Sequence, residues 1–425
     1  MKKVFSLVMI GILAASAVFA QGSGEGQSGA KKVKLTIAGR DGAYGDAMQI
    51  AVNDYMAQHP NVDIELLKLS GSSLFEKTVI DIKTQTGTYD IILIDDTNVT
   101  QFQKSGWLVD LDNLYKEEGK TVDSDLIPST VKLGRYPYAD NGTLFAMPIV
   151  GNVELFAYRK DLMAKYGYEN PTTYSQILEA VKKIDAGEKG VDGVVFRGVK
   201  GNPIVTGFLP IFWAFGGHVL DADGNVTFDS PQARAAMNYF LELAKYAPEG
   251  VSMYQSTQVK DAIYAGTAAV ATEVWPGWIG ELENPEKSKV VGKVAVVKSP
   301  GEKVNASSML GVWLAAIPTT SQHQKAAFDF LQFLTSKDMQ SKMSLETGVP
   351  PTRVSVFKEE AQQAKYPWYT AQLDALENGV ARPRSVKWKE IEDQLGTVLQ
   401  EAILGNYDAK QAVAEATKDI KSVLE

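Results

Sequence analysis

Between Val33 and Ile94 the chain switches back and forth between two hydrophobic periods, and that alternation restricts it to a sheet covered by helices. Val33, Leu35 and Ile37 alternate as in a strand, whereas Met48, Ala51, Val52, Tyr55 and Met56 recur at helical spacing. His59-Pro60 stops the helix, because the residue before a proline is pushed out of the helical region. Val62, Ile64 and Leu66 read as a second strand, Leu74 to Thr86 as a helix ending at Gly87, and Ile91 to Ile94 as a third strand. This βαβαβ order predicts an α/β fold with a sheet covered on both faces. Ligands of such sheets lie beyond the carboxyl ends of the strands, which singles out the loops after Ala38, Leu69 and Ile94.

The pattern starts again further on. Leu155 to Tyr158 is strand-like, Tyr174 to Ile184 helical, and Gly193 to Phe196 a short strand. Asp221-Ala222-Asp223-Gly224-Asn225 has acidic spacing suggestive of a calcium loop, but the glycine falls too early and position twelve would be Gln232, so a hairpin turn is expected instead. Strand-like runs follow at Ala268 to Thr272, Val294 to Val297 and Gly311 to Ile317. Amphipathic helices then carry Phe328, Phe330 and Leu331; Trp388, Ile391 and Leu395; and Val413, Ala416 and Ile420, with Asp408 as N-cap of the last. A chain of 425 residues exceeds what one core organises, so two domains are expected.

The first 20 residues address the chain rather than fold it. Lys2 and Lys3 precede an apolar run from Val4 to Ala17 that ends in Val18-Phe19-Ala20, the pattern of a cleavable signal peptide. The competing reading, a membrane anchor, needs a run of ~20 apolar residues. Residues 21–32 are Gly/Ser/Gln-rich and read as a flexible tether. A lipoprotein would need a cysteine at the cleavage site, and the chain has 0 Cys, so an exported, unlipidated periplasmic protein without disulfides is expected. Losing Lys2 and Lys3 takes the 43 basic residues to 41 against 51 acidic ones, a net charge of −10, which argues against nucleic acid as a partner.

Motifs of catalysis do not appear: no P-loop, no G-x-S-x-G elbow, no H-E-x-x-H and no cysteine nucleophile. Gly24, Gly26 and Gly29 spell G-x-G-x-x-G, but no strand precedes them. His59, His218 and His323 are too scattered to suggest a triad or a metal, and no metal or cofactor is expected. What recurs instead is an aromatic ring beside a carboxylate in a loop: Tyr44 near Asp41, the pair Asp95-Asp96, and Glu273 near Trp275 and Trp278. Sugars need that combination, since a pyranose offers apolar C–H faces to rings and a rim of hydroxyls to carboxylates. For any single ring, core packing is the competing role. For Asp95-Asp96 it is helix capping.

In order, Tyr89-Asp90-Ile91-Ile92-Leu93, Ser105-Gly106-Trp107-Leu108-Val109-Asp110-Leu111, Ala146-Met147-Pro148, Tyr158-Arg159-Lys160-Asp161-Leu162, Phe215-Gly216-Gly217, Gly266-Thr267-Ala268-Ala269 and Gly348-Val349-Pro350-Pro351 make the chain resemble a family 1 extracellular solute-binding protein of ABC importers. The resemblance implies a periplasmic-binding-protein-like fold, with two α/β lobes, a hinge and a ligand cleft between them. Residues 33–147 and 303–345 would form the first lobe, and residues 148–302 and 346–425 the second. It further implies hinge closure on a carbohydrate by a monomer, no bond chemistry, and delivery to the permease subunits of the importer.

By position in that family, Asp41, Tyr44, Asp95, Asp96, Asn152 and Trp275 fall where sugar is contacted, and Trp388 near a stacking position. Ser72, Trp213, Glu273 and Trp313 complete the expected contacts. Arg353 is expected either at ligand hydroxyls or in a surface salt bridge. Ile94 and Asn152 replace an aromatic and an acidic residue of maltodextrin receptors, which favours a small sugar or polyol. A carbohydrate-active enzyme, with paired carboxylates ~5 Å apart as acid and nucleophile, stays open at this point, as does a sensory or adhesive protein on the same scaffold.

Overall fold

The computed structural model describes residues 32–305 and 308–425. The expected signal peptide, the expected tether up to residue 31 and the glycine motif at Gly24 to Gly29 lie outside the described residues. Among the described residues eleven strands follow one another: β1 Val33–Arg40, β2 Val62–Leu69, β3 Ile91–Asp95, the short pair β4 Arg135–Tyr136 and β5 Thr143–Leu144, β6 Ala146–Val150, β7 Leu155–Arg159, β8 Asp192–Val195, β9 Ala268–Val274, β10 Val294–Lys298 and β11 Trp313–Ala316.

Two larger sheets result. The first has the order β2-β1-β3-β11-β6, and the second β10-β7-β9-β8. In the first, β1 is parallel to both β2 and β3, as the βαβαβ pattern requires, while β11 returns from far along the chain and runs antiparallel to β3 and β6. Leu35, Ile37, Ile91 and Ile92 are fully buried on this sheet, each burial favouring the fold by about 1.5–3 kcal/mol. Helix Gly42–Gln58 covers it with Met48, Ala51, Val52 and Tyr55, residues at the spacing of one helical face.

The second sheet is covered by helix Tyr174–Gly187 and by a layer in which Asn202–Ala214, Pro231–Ala244, Trp388–Ile403 and Ala409–Leu424 pack on one another. The last of these starts at a capping box: Asp408 Oδ1 accepts from Gln411 N at 2.8 Å, and Asp408 N donates to Gln411 Oε1 at 3.0 Å, an arrangement worth about 1 kcal/mol. The Asp221 to Asn225 segment is the expected hairpin turn, with Asp221 N donating to Asn225 O at 2.9 Å and Leu220 pairing Val226.

Three segments run between the sheets, and backbone bonds stitch them together. Residues 151–154 link β6 to β7, residues 299–305 and 308–312 lie between β10 and β11, and residues 378–387 lead to the helix starting at Trp388. Glu154 N donates to Met309 O (2.8 Å), Gly311 N to Asn152 O (3.1 Å), and Leu310 N to Val380 O (2.9 Å). Residues 349–376 lie between the two sheets' packing layers: Val349, Phe357, Tyr369 and Leu376 join a hydrophobic cluster that includes residues of both sheets. Helices Val354–Phe357 and Glu360–Lys365 pack on the preceding helix Lys337–Thr347, whereas Tyr369–Glu377 packs on β10 of the second sheet and on helix Pro128–Leu133.

Candidate functional site

The carboxyl end of β3 sets one wall of a cavity. Asp95 closes the strand, and its Oδ1 accepts from Thr97 N (3.1 Å) and Thr97 Oγ1 (2.8 Å), which fixes the turn into helix Asn98–Lys104. Trp313 opens β11 directly opposite Asp95 in the ladder. Its ring is held from behind by Tyr44, centroid to centroid 6.2 Å, and by the Arg40 guanidinium 5.1 Å above it. Burial pushes the Tyr44 phenol up to about 12, so it stays neutral. Ser72 and Glu76, from the first turns of helix Gly71–Lys83, complete this side.

The facing wall comes from the other sheet's helical layer. Asn202 begins helix Asn202–Ala214, and Trp388, Lys389 and Glu392 lie in the first turns of helix Trp388–Ile403. Arg382, on the segment between sheets, forms the floor. Together these residues enclose about 520 Å³, a volume suited to a small organic ligand. Two indole rings, Trp313 and Trp388, offer apolar surface within a rim of Asn98, Gln101 and Asn202 amides and the Asp95 carboxylate.

Arg382 carries most of the electrostatics. Its Nη2 lies 2.5 Å from Asp95 Oδ1 and also bonds Asp96, while Arg384 Nη1 reaches the other Asp96 oxygen at 3.0 Å. Burial works against the Asp95 carboxylate, but Arg382 and the two Thr97 bonds outweigh it and hold its pKa below the usual range. For the fully buried Asp96, burial dominates and pushes it up to about 6 despite both guanidiniums. Glu392 is pushed up to about 7 by burial, against the pull of Arg382 and of the Asn202 amide that donates to its Oε1 at 2.8 Å.

Beneath this floor a second buried pair fixes the end of β9. Arg197 grips Glu273 through Nε to Oε1 (2.9 Å) and Nη2 to Oε2 (2.8 Å), with Thr206 bonding the same guanidinium. Glu154 is fully buried nearby, and neither of its carboxyl oxygens has a partner among the described residues. Burial, reinforced by the negative charge of Glu273, raises its pKa well above the ordinary glutamate value.

The sequence-named residues thus divide. Ser72, Asp95, Trp313 and Trp388 line the cavity, and Tyr44 backs it. Asp96 is one layer deeper, clamped by the two arginines. Asp41 occupies the N-cap position of helix Gly42–Gln58 without a side-chain capping bond, and its half-exposed carboxylate is salt-bridged to Arg40 at 3.0 Å, so it reaches the site through the arginine that covers Trp313. Asn152 and Trp275 lie together at the crossing: a Cβ on Gly311 would come within 2.6 Å of the Trp275 ring and 3.8 Å of Asn152 Nδ2.

Three expected contacts are corrected. Glu273 is wholly engaged by Arg197 and fully buried, because an unpaired carboxylate there would cost several kcal/mol. Trp213 is core, sitting in a helix whose residues from Ile204 to Ala214 are all buried. Arg353 is away from the cavity, bonded to Asp123 (2.7 Å), Asp125 (3.2 Å) and the Thr335 carbonyl (2.6 Å). Its ion pair is thus the second of the two expected roles, though at a buried rather than a surface position.

Sequence reasoning missed Arg382, Arg384, Glu392 and Asn202. The only available signal was Arg382-Pro383-Arg384, two cations kept apart by a residue that enforces an extended backbone. Among the described residues no group of three or more His, Asp or Glu is gathered to hold a metal ion, and no helix is long and apolar enough to cross a membrane.

The family model described as bacterial extracellular solute-binding protein matches residues 40–341. The mannitol-binding protein of Pseudomonas aeruginosa is 25% identical over 400 residues, covering 87% of this chain and 88% of the relative. Among solved structures, maltose-bound MalE3 of T. maritima superposes with a TM-score of 0.80 at 28% identity, covering 92% of this chain and 99% of the other. A solute-binding protein of an ABC transporter from Agrobacterium radiobacter, in complex with ribitol, reaches 0.81 at 26% identity over 92% and 98%.

Proposed function

The chain belongs to the bacterial extracellular solute-binding protein family, and from that membership we propose that it captures a small sugar or polyol in the cavity between its two sheets. The filled protein then delivers its cargo to the permease subunits of an ABC importer. The carrying observation is the cavity of about 520 Å³, in which Trp313 from one sheet and Trp388 from the other present apolar faces inside a polar rim. That is the chemistry a polyhydroxylated carbon skeleton presents in reverse. The mannitol, ribitol and maltose ligands of the similar proteins lie in the same class.

Capture is binding and closure, with no bond made or broken, as befits a family of transport receptors rather than enzymes. The Asp95-Asp96 pair, which could otherwise suggest acid and nucleophile, is spoken for by Arg382 and Arg384. On this reading the stitched segments at residues 151–154, 299–305, 308–312 and 378–387 act as the hinge, and a monomer working in the periplasm after loss of residues 1–20 suffices.

A thermal-shift panel of D-mannitol, ribitol, maltose and monosaccharides tests the reading. A ligand at 100 times its Kd adds about 2.7 kcal/mol to stability. A shift by at least one carbohydrate, absent with amino acids, is the expected result. A panel in which only amino acids or peptides stabilise the protein would defeat it.

A further inference from the structure

Apart from the exposed Glu76 and the Arg40 guanidinium over Trp313, five carboxyls and three guanidiniums meet below and around the cavity. Arg197 is matched with Glu273, and Arg382 and Arg384 with Asp95 and Asp96. Glu154 and Glu392 are left with no cation within ion-pair distance among the described residues. An ionised carboxylate in such surroundings loses its water without gaining a counter-ion, at a cost of several kcal/mol, so the group keeps its proton instead. Glu154 is sealed in the crossing between the sheets. Glu392 differs in that it lines the cavity, so whatever enters the cavity also covers it.

The groups around Glu392 come from every neighbouring element: Asp95 after β3, Glu76 across the cavity, Arg197 after β8, Asn202 opening its helix, Arg382 on the crossing, and Lys389 and Asp393 on its own helix. Of the cations that act on it, Arg382 is held by two aspartates, Arg197 by Glu273, and Lys389 is exposed to solvent. A neutral ligand settling on Glu392 would strip its remaining water and supply no charge in exchange. Asn202 already donates to Oε1, so the acid form offers its O–H to the ligand.

We propose that this cleft takes up its ligand together with a proton held on Glu392, and that a neutral polyhydroxylated ligand binds the form in which that carboxyl is an O–H donor. Glu392 is then a specificity-determining residue, recognising a ligand oxygen as acceptor rather than a ligand hydroxyl as donor. The proton comes from solvent and returns to it on release. A cationic ligand would do the opposite, pairing with the carboxylate and expelling the proton. The inference rests on the carbohydrate reading for the ligand's neutrality, but the charge state of the empty site does not.

Two measurements keep the two claims separable. First, the ligand-free chain carrying carbon-13 at its glutamate carboxyls is titrated by NMR. Two glutamates should titrate clearly above the ordinary range, one signal vanishing in Glu392→Gln and the other in Glu154→Gln. Ordinary titration of every glutamate would overturn the proposal outright. Second, Kd for D-mannitol and for maltose is followed by tryptophan fluorescence between about pH 6 and 9.

With Glu392 titrating at about 7 in the empty site, Kd should weaken by up to about tenfold for each pH unit above that point, and Glu392→Gln should flatten the profile. A flat wild-type profile, or affinity that improves with pH, overturns proton uptake while leaving carbohydrate capture intact. No binding by any sugar or polyol overturns the carbohydrate reading and takes the coupling with it, whereas the NMR titration still reports the charge state.

Discussion

Arg382 joins Asp95 and Asp96 of the first sheet to the segment that leads into the second sheet's helices, so the cavity floor is electrostatically one unit. The rings above it differ in role, and substitution should separate them. Trp388→Ala should weaken binding and also cost stability, since that ring is buried in the second sheet's core. Trp313→Ala removes a stacking face, which should weaken carbohydrate binding by about 2 kcal/mol, roughly 30-fold in Kd, with little change in stability. Trp213→Ala should do the reverse, costing about 3–5 kcal/mol of stability by opening a hole in a fully buried helix. Titration and urea denaturation of the three variants distinguish these outcomes.

Glu154 adds a pH signature at the same scale. Its folded pKa is raised above its unfolded value, so the folded state holds the proton more tightly. Stability is therefore greatest below the ordinary glutamate range and falls as pH climbs through the raised folded value. Glu154→Gln should make the protein progressively more stable than wild type as pH increases from about 5 to 8 in urea melts. An unchanged difference across that range would contradict a buried, protonated Glu154. None of this was legible in the sequence. Glu154 sits in the short link just before the strand-like run that starts at Leu155, without any mark of burial, and Arg382 lies in a loop where charge has no period to betray its partners.

Elements were legible where one face of a helix or strand is apolar. Strands β1, β2 and β3 and helix Gly42–Gln58 follow from alternation and from the stop at His59-Pro60, and Asp408 caps the last helix as its side chain chemistry requires. Helix Asn202–Ala214 was not readable, because it is buried all round and therefore shows no amphipathic period. Trp213 was accordingly mistaken for a ligand contact. The crossing at Gly311 also escapes periodicity, yet it limits the site: Gly311→Ala would drive a methyl into Trp275 at 2.6 Å. That variant should lose about 1–3 kcal/mol of stability and shift tryptophan fluorescence, since the ring must move.

At the scale of the molecule, two sheets and three stitched crossings frame a cavity walled by both sides, which the proposed function reads as a site that closes on a small carbohydrate. The architecture followed from the length of the chain and the repeated βα units, and the cavity's position from the rule that ligands lie beyond strand carboxyl ends. The packing of residues 349–376 against elements of both sheets did not, because short helices of mixed composition carry no label for what they cover. Calorimetric titration of the chain with the best carbohydrate from the stability panel, D-mannitol, ribitol or maltose among them, tests the central claim most directly. The account predicts saturable binding of one ligand per chain that Trp388→Ala weakens by at least about tenfold. Binding that ignores both Trp313→Ala and Trp388→Ala would contradict a cavity shared between the two sheets.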